Sequence, residues 1–169
     1  LLSAAGGEPR AEVVEEQAPT TWVRKHIGAP KYEDIVIETR IPMSGPLESW
    51  IISLFEGKQS ATDGAIVLLD YSMKVSQRLE WTGGLISQVT FSAADGASKE
   101  TARVRVTITP ELTHLVAGSH AAYGKGASGK EKSVLLSHFR FTVSGLEQAS
   151  AKVSDVASIS VTRRATDDI

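Results

Sequence analysis

The chain has 169 residues, of which 41 % are hydrophobic and 22 % charged, an ordinary composition for a globular domain that builds its core without staples. A formal net charge of -2 argues against a nucleic-acid binder, and no stretch approaches the roughly 20 apolar residues that span a bilayer, so neither nucleic-acid specificity nor stable membrane insertion is expected. The absence of cysteine excludes disulfides, thiolate metal sites and cysteine nucleophiles.

The first residue is Leu1, and no basic segment leads into an apolar one, so no secretory leader is visible. The chain reads as the middle of a larger protein, with a first strand expected upstream. Ala11 to Glu15 has strand-like content, Pro19 interrupts it, and Thr20 to Pro30 reads as a loop. From Tyr32 to Ile41, Ile35, Ile37, Thr39 and Ile41 alternate with Asp34, Glu38 and Arg40, the period of a strand with one buried face.

A single amphipathic helix is predicted at about 46–57. Leu47, Trp50, Ile51, Leu54 and Phe55 form one apolar stripe at helical spacing and are assigned to packing. Pro46 suits the first turn, Ser44 or Gly45 the cap, and Gly57 the left-handed end. Strands follow. Asp63-Gly64 reads as a turn before Ala65 to Tyr71, and Lys74 to Trp81 as the next strand. Thr82-Gly83-Gly84 reads as a second turn. Leu85 to Phe91 then alternates, with Leu85, Ser87, Val89 and Phe91 on one face. Ala94 to Ser98 turns the chain. Thr101 to Thr109 sets Val104, Val106 and Ile108 against Arg103, Arg105, Thr107 and Thr109, and Pro110 ends it.

Gly118 to Lys132 has little to bury and reads as a flexible linker, placed at 118–133 between a unit spanning 1–117 and a terminal segment spanning 134–169. In that segment His138 to Ser144 is expected as a strand with Phe139, Phe141 and Val143 inward, Gly145 as a turn, and Val153 to Thr162 as the second arm of a hairpin. The hairpin either starts a second unit, too short at about 35 residues to fold alone, or completes the first sheet.

Taken in order, YEDIVIE (Tyr32 to Glu38), PLESWI (Pro46 to Ile51), DGAIVLLD (Asp63 to Asp70), RLEW (Arg78 to Trp81), GGLISQVTFSAADGASKE (Gly83 to Glu100) and RVRVTITPE (Arg103 to Glu111) resemble the tail-tube family of contractile phages and contractile injection systems. HFRFTVSGLEQASAKVSDVASISV (His138 to Val161) resembles the opening hairpin of the same family. The resemblance implies a mainly β fold, a barrel or sandwich of the tail-tube type, with one flanking helix. It also implies a non-enzymatic subunit that forms homo-oligomeric rings, stacks them into a tube, and meets sheath and baseplate proteins. Tandem units would replace plain hexamer stacking by a trimer with pseudo-six-fold symmetry or an end-of-tube role. A β-sandwich module binding a protein or carbohydrate is the alternative.

The candidate sites are subunit contacts. Trp22 stands in a polar stretch with Arg24, Lys25 and His26, where an exposed aromatic suits an interface anchor. Lys58 and Gln59 lie in the loop from Gly57 to Asp63, which with Thr20 to Pro30 is expected to reach a neighbouring ring. No catalytic residue, cofactor or metal is assigned. The histidines His26, His114, His120 and His138 lack zinc-helix spacing. Gly124 to Lys130 resembles a phosphate-binding loop, but Glu131 stands where the magnesium ligand belongs, and a linker is the better reading. Paired carboxylates such as Glu33 and Asp34 are neighbours in sequence and point to opposite faces of a strand.

Overall fold

A computed structural model describes residues 1–17, 22–124 and 132–163. The phosphate-loop-like segment falls mostly outside them. The fold is mainly β, with 48 % of the described residues in strands. In chain order the first elements are β1 (Ser3–Gly6), β2 (Pro9–Arg10), β3 (Val13–Gln17), β4 (Val23–Ile27), β5 (Lys31–Tyr32) and β6 (Ile35–Arg40). Helix α1 (Gly45–Phe55) follows, then β7 (Thr62–Leu69), β8 (Val75–Phe91), β9 (Ala94–Asp95), β10 (Arg103–Thr109) and β11 (Leu112–Ala117). The chain closes with α2 (Glu147–Ser150), β12 (Asp155–Val156) and β13 (Ile159–Thr162).

The architecture turns on β8. Its 17 residues run unbroken through Thr82-Gly83-Gly84, so the predicted turn is a bend within one strand. Before the bend β8 pairs with β7 and β11; after it, β8 pairs with β10 and β13. Strands β10 and β11 therefore follow β8 along one side, bending with it at Pro110 and Glu111. The bend is held by polar contacts: the Gly83 N–H donates to the Asp63 carboxylate at 2.9 Å and the Glu111 N–H to the Thr82 carbonyl at 3.1 Å. Gly83 has φ of 64°, a left-handed conformation that disfavours a side chain. Asp63-Gly64 is likewise no turn. It lies inside β7, where the register shifts between Thr62 and Gly64 as at a β-bulge. Strand β11, which the sequence reading did not assign, completes this half of the sheet.

The core forms where this curled sheet meets α1. Ile35, Val89, Val104, Val106 and Ile108 are fully excluded from solvent, and Ile51 and Leu54 of the helix close over them. Such burial is the main favourable term in folding. The alternation of β10 matches its burial residue by residue. That of β8 does not: Ile86 and Val89 are both buried, because Ile108 pairs with Ile86 and Thr107 with Gln88, leaving Ser87 as a bulged residue. The extra residue turns both apolar side chains to the core. Phe55 also departs from the expected packing role. It is 54 % exposed and touches the rim of the core through Phe91, with ring centroids 6.4 Å apart.

Helix α1 otherwise follows its sequence. Ser44 occupies the cap without a side-chain hydrogen bond, Pro46 sits in the first turn, and Gly57 follows the C-cap with φ of 75°.

The terminal segment differs from its reading. His138 to Ser144 forms no strand, and Phe141 and Val143 are exposed. Of the expected second arm, Asp155–Val156 pairs with β9 and Ile159–Thr162 with β8, so β13 belongs to the same sheet as β6 and β10. The first residues of the expected linker are also placed. His120 donates its backbone N–H to Val75, Tyr123 donates to Met73, and Ala122 bridges Lys74.

Candidate assembly interface

Among the described residues of the first forty, the strands pair in succession as the two sides of a long hairpin. Ser3 to Gly6 pair with Glu38 to Ile35, Pro9 and Arg10 with Tyr32 and Lys31, and Val13 to Gln17 with Ile27 to Val23. The base is fixed by the β1–β6 ladder, by the Arg10–Glu33 ion pair and by the Gly28 N–H donating to the Glu12 carbonyl at 2.8 Å. Beyond this point, among the described residues, β3 and β4 pair only with each other. At about 3.3 Å per residue, β3 from Val13 to Gln17 carries the paired ribbon roughly 13 Å beyond this base. Thr20 to Pro30 is therefore a loop only in part: Val23–Ile27 is the return strand of a protruding arm.

Trp22, Arg24, Lys25 and His26 are brought together on this arm, all exposed, with Trp22 at 79 %. One face of the ribbon carries the pairs Val13–Ile27 and Glu15–Lys25, the latter an ion pair of 2.8 Å. The other carries Val14–His26 and Glu16–Arg24. Val13, Val23 and Ile27 are all more than half exposed, so the arm presents apolar surface that its own domain does not cover. The sequence reading did not single out Val13 or Ile27. Neither strand alternates apolar with polar, because neither face of the ribbon is buried.

Lys58 and Gln59 lie elsewhere, just after α1. Lys58 is exposed and pairs with Glu56 at 3.3 Å. Gln59 turns inward. With its carboxamide oriented to satisfy both atoms, it accepts from the Ile86 N–H and donates to the Ile86 carbonyl at 3.3 Å. It thus serves backbone groups of β8 next to the Ser87 bulge.

Strand edges are the second feature. Among the described residues β1 and β13, at the two sides of one half of the sheet, each have a single partner strand, as do β7 and β11 in the other half. Unpaired strand edges are templates for pairing with another chain. Between β1 and β13 the outer face of the sheet is polar. There Glu38 accepts from Arg103 and Arg105 at 3.2 Å each, beside Thr90 and Ser92, in an open cavity of about 280 Å³. The Arg105 hydrogen bond, then that from Arg103, holds the Glu38 carboxyl below its ordinary value. Thr90 and Ser160 continue the polar face with a hydroxyl–hydroxyl bond of 2.8 Å. Among the described residues no three His, Asp or Glu side chains come together to hold a metal ion, and no helix is long and apolar enough to cross a membrane.

No protein-family model matches the chain, and no curated protein matches it. Solved structures do. A chain in the cryo-EM structure of the anti-feeding prophage cap, its tube-terminating cap, is similar with a TM-score of 0.59 and 18 % identity, over 68 % of this chain and 78 % of that one. A chain of the PVC sheath–tube complex, from an extracellular contractile injection system in its extended state, gives 0.58 and 17 % identity over 68 % and 79 %. A chain of the PVC sheath/tube terminator gives 0.59 and 17 % identity over 69 % and 84 %. The fold expected from the sequence resemblance is thus the fold found, shared with chains of contractile injection particles.

Proposed function

We propose that this chain is a structural subunit of the inner tube, or of a tube-like ring at its end, in a phage-tail-like contractile injection particle. It acts by self-assembly and performs no catalysis. Copies of itself are its first partners, and sheath and baseplate proteins the next. Assembly takes place in the cytoplasm, and the finished particle works outside the cell.

The observation that carries this reading is the β3–β4 arm. A two-stranded ribbon standing alone is marginal in water, yet this one leaves Trp22, Val13, Val23 and Ile27 exposed. Such a structure is completed by a partner. The single-partner strands β1 and β13 supply a second set of contacts, through which neighbouring sheets extend one another. A contact between two different surfaces closes into a ring when its rotation permits. The fold shared with chains of a sheath–tube complex and of two tube ends supports the same reading.

Electron microscopy and sedimentation of the purified protein test it. Rings or stacked tubes are expected. A strictly monomeric species at millimolar concentration overturns the proposal.

A further inference from the structure

The arm carries its charge in a segregated way. Strand β3 and the residue before it hold Glu12, Glu15 and Glu16, and β4 holds Arg24, Lys25 and His26. Each strand uses one backbone edge within the hairpin, and among the described residues its other edge is unpaired. The ribbon therefore offers one acidic open edge and one basic open edge.

We infer that arms of adjacent copies pair edge to edge, the acidic β3 of one against the basic β4 of the next, which rests on the self-assembly reading above. With copies side by side in the same orientation, their strands run up and down in alternation, so β4 of one copy meets β3 of its neighbour antiparallel. In the register already used within the hairpin, every internal pair recurs across the junction: Val13 with Ile27, Glu15 with Lys25, Glu16 with Arg24. Opposite charges and β-branched pairs set directly across a ladder are favourable, and like charges are unfavourable. The alternative two-fold contacts are penalised. Pairing β3 with a second β3 about Glu15 sets carboxylate against carboxylate, and pairing β4 with β4 about Lys25 sets cation against cation. The pattern thus selects a head-to-tail contact, which builds rings, over an isologous dimer.

The test exchanges the signs. The variant E15K/E16K/R24E/K25E keeps every cross-strand pair oppositely charged within its own hairpin and at junctions with its own kind. It is expected to assemble alone. Mixed with wild-type chain it brings like charges together at each junction. Two-colour energy transfer should then show mixed junctions at least about tenfold rarer than random mixing. Random mixing overturns edge pairing while leaving self-assembly in place; failure of the wild-type chain to assemble overturns both. A second measurement keeps the native charges. The chain has no cysteine of its own, so Val14→Cys and His26→Cys single variants can be mixed and oxidised. Crosslinks between the two variants should exceed those within either by at least about tenfold. Equal yields of Val14→Cys homodimers overturn the inference.

Discussion

The indole of Trp81 lies across the backbone of Gly64 on the neighbouring strand, in the space that a side chain at Gly64 would fill. Gly84 gives way on the other side, where an added Cβ would stand 2.7 Å from the indole nitrogen. The indole N–H donates to the Thr62 carbonyl at 3.1 Å, so the ring cannot swing away without losing that bond. Gly64→Ala is therefore expected to destabilise the chain by about 2 kcal/mol, the usual cost of overpacking. Gly45→Ala is the control, because a Cβ there meets nothing within 4 Å and alanine favours a helix. Urea unfolding should separate the two variants clearly.

Leu54 and Phe55 are neighbours on α1 with opposite fates. Leu54 is 1 % exposed among Val104, Val106 and Ile86, whereas Phe55 is 54 % exposed. Leu54→Ala should cost about 3 kcal/mol through lost transfer energy and a cavity. Phe55→Ala should cost less than about 1 kcal/mol, because much of its ring is already in water. Equal losses in thermal unfolding would mean that the helix packs differently from the arrangement described.

This contrast shows what the sequence made legible. The stripe from Leu47 to Phe55 located the helix, but five apolar positions span more arc than the sheet covers, and the stripe does not mark its own rim. In β10 the period of two was read correctly because one face packs on the core and nothing interrupts the ladder. In β8 two things were hidden. Gly83-Gly84 has turn chemistry whether a strand reverses there or only bends, and the difference lies in β7 and β11, which are distant in sequence. Ser87 leaves no mark of the bulge that resets the period. The arm was missed for the opposite reason: with no buried face, its strands carry charges on both sides and read as loop. Phe139, Phe141 and Val143 alternate without forming a strand, since the position beside β8 is taken by β13. Trp22, Arg24, Lys25 and His26 stand out by composition alone, as an aromatic beside three basic residues.

Glu38 gives the fold a pH dependence. Hydrogen bonds from Arg105 and then Arg103 favour its charged form and lower its pKa from the ordinary 4.5. A carboxylate with a depressed folded pKa adds stability above its unfolded value, and that stability is lost as pH falls through the folded value. Glu38→Gln should therefore lower the urea midpoint at pH 7, and the gap to wild type should narrow as pH falls below 4.5. Titration of the Glu38 side chain followed by NMR checks the cause directly. A midpoint at or above 4.5 would remove the two arginines from the explanation.

Trp22 separates the two roles open to an aromatic beside a charged strand. At 79 % exposure it has little of its own domain to lose, so Trp22→Ala should leave the unfolding midpoint of the monomer within about 0.5 kcal/mol of wild type. An anchor buried on assembly behaves otherwise. Truncating a tryptophan at the centre of an interface costs about 2 kcal/mol or more, equivalent to a rise of roughly thirtyfold in the concentration needed to assemble. Sedimentation across a concentration series measures that shift. A variant that unfolds early but assembles at the wild-type concentration would place Trp22 in the packing of its own hairpin. The assembly contact would then rest on Val13, Val23, Ile27 and the charged edges of β3 and β4.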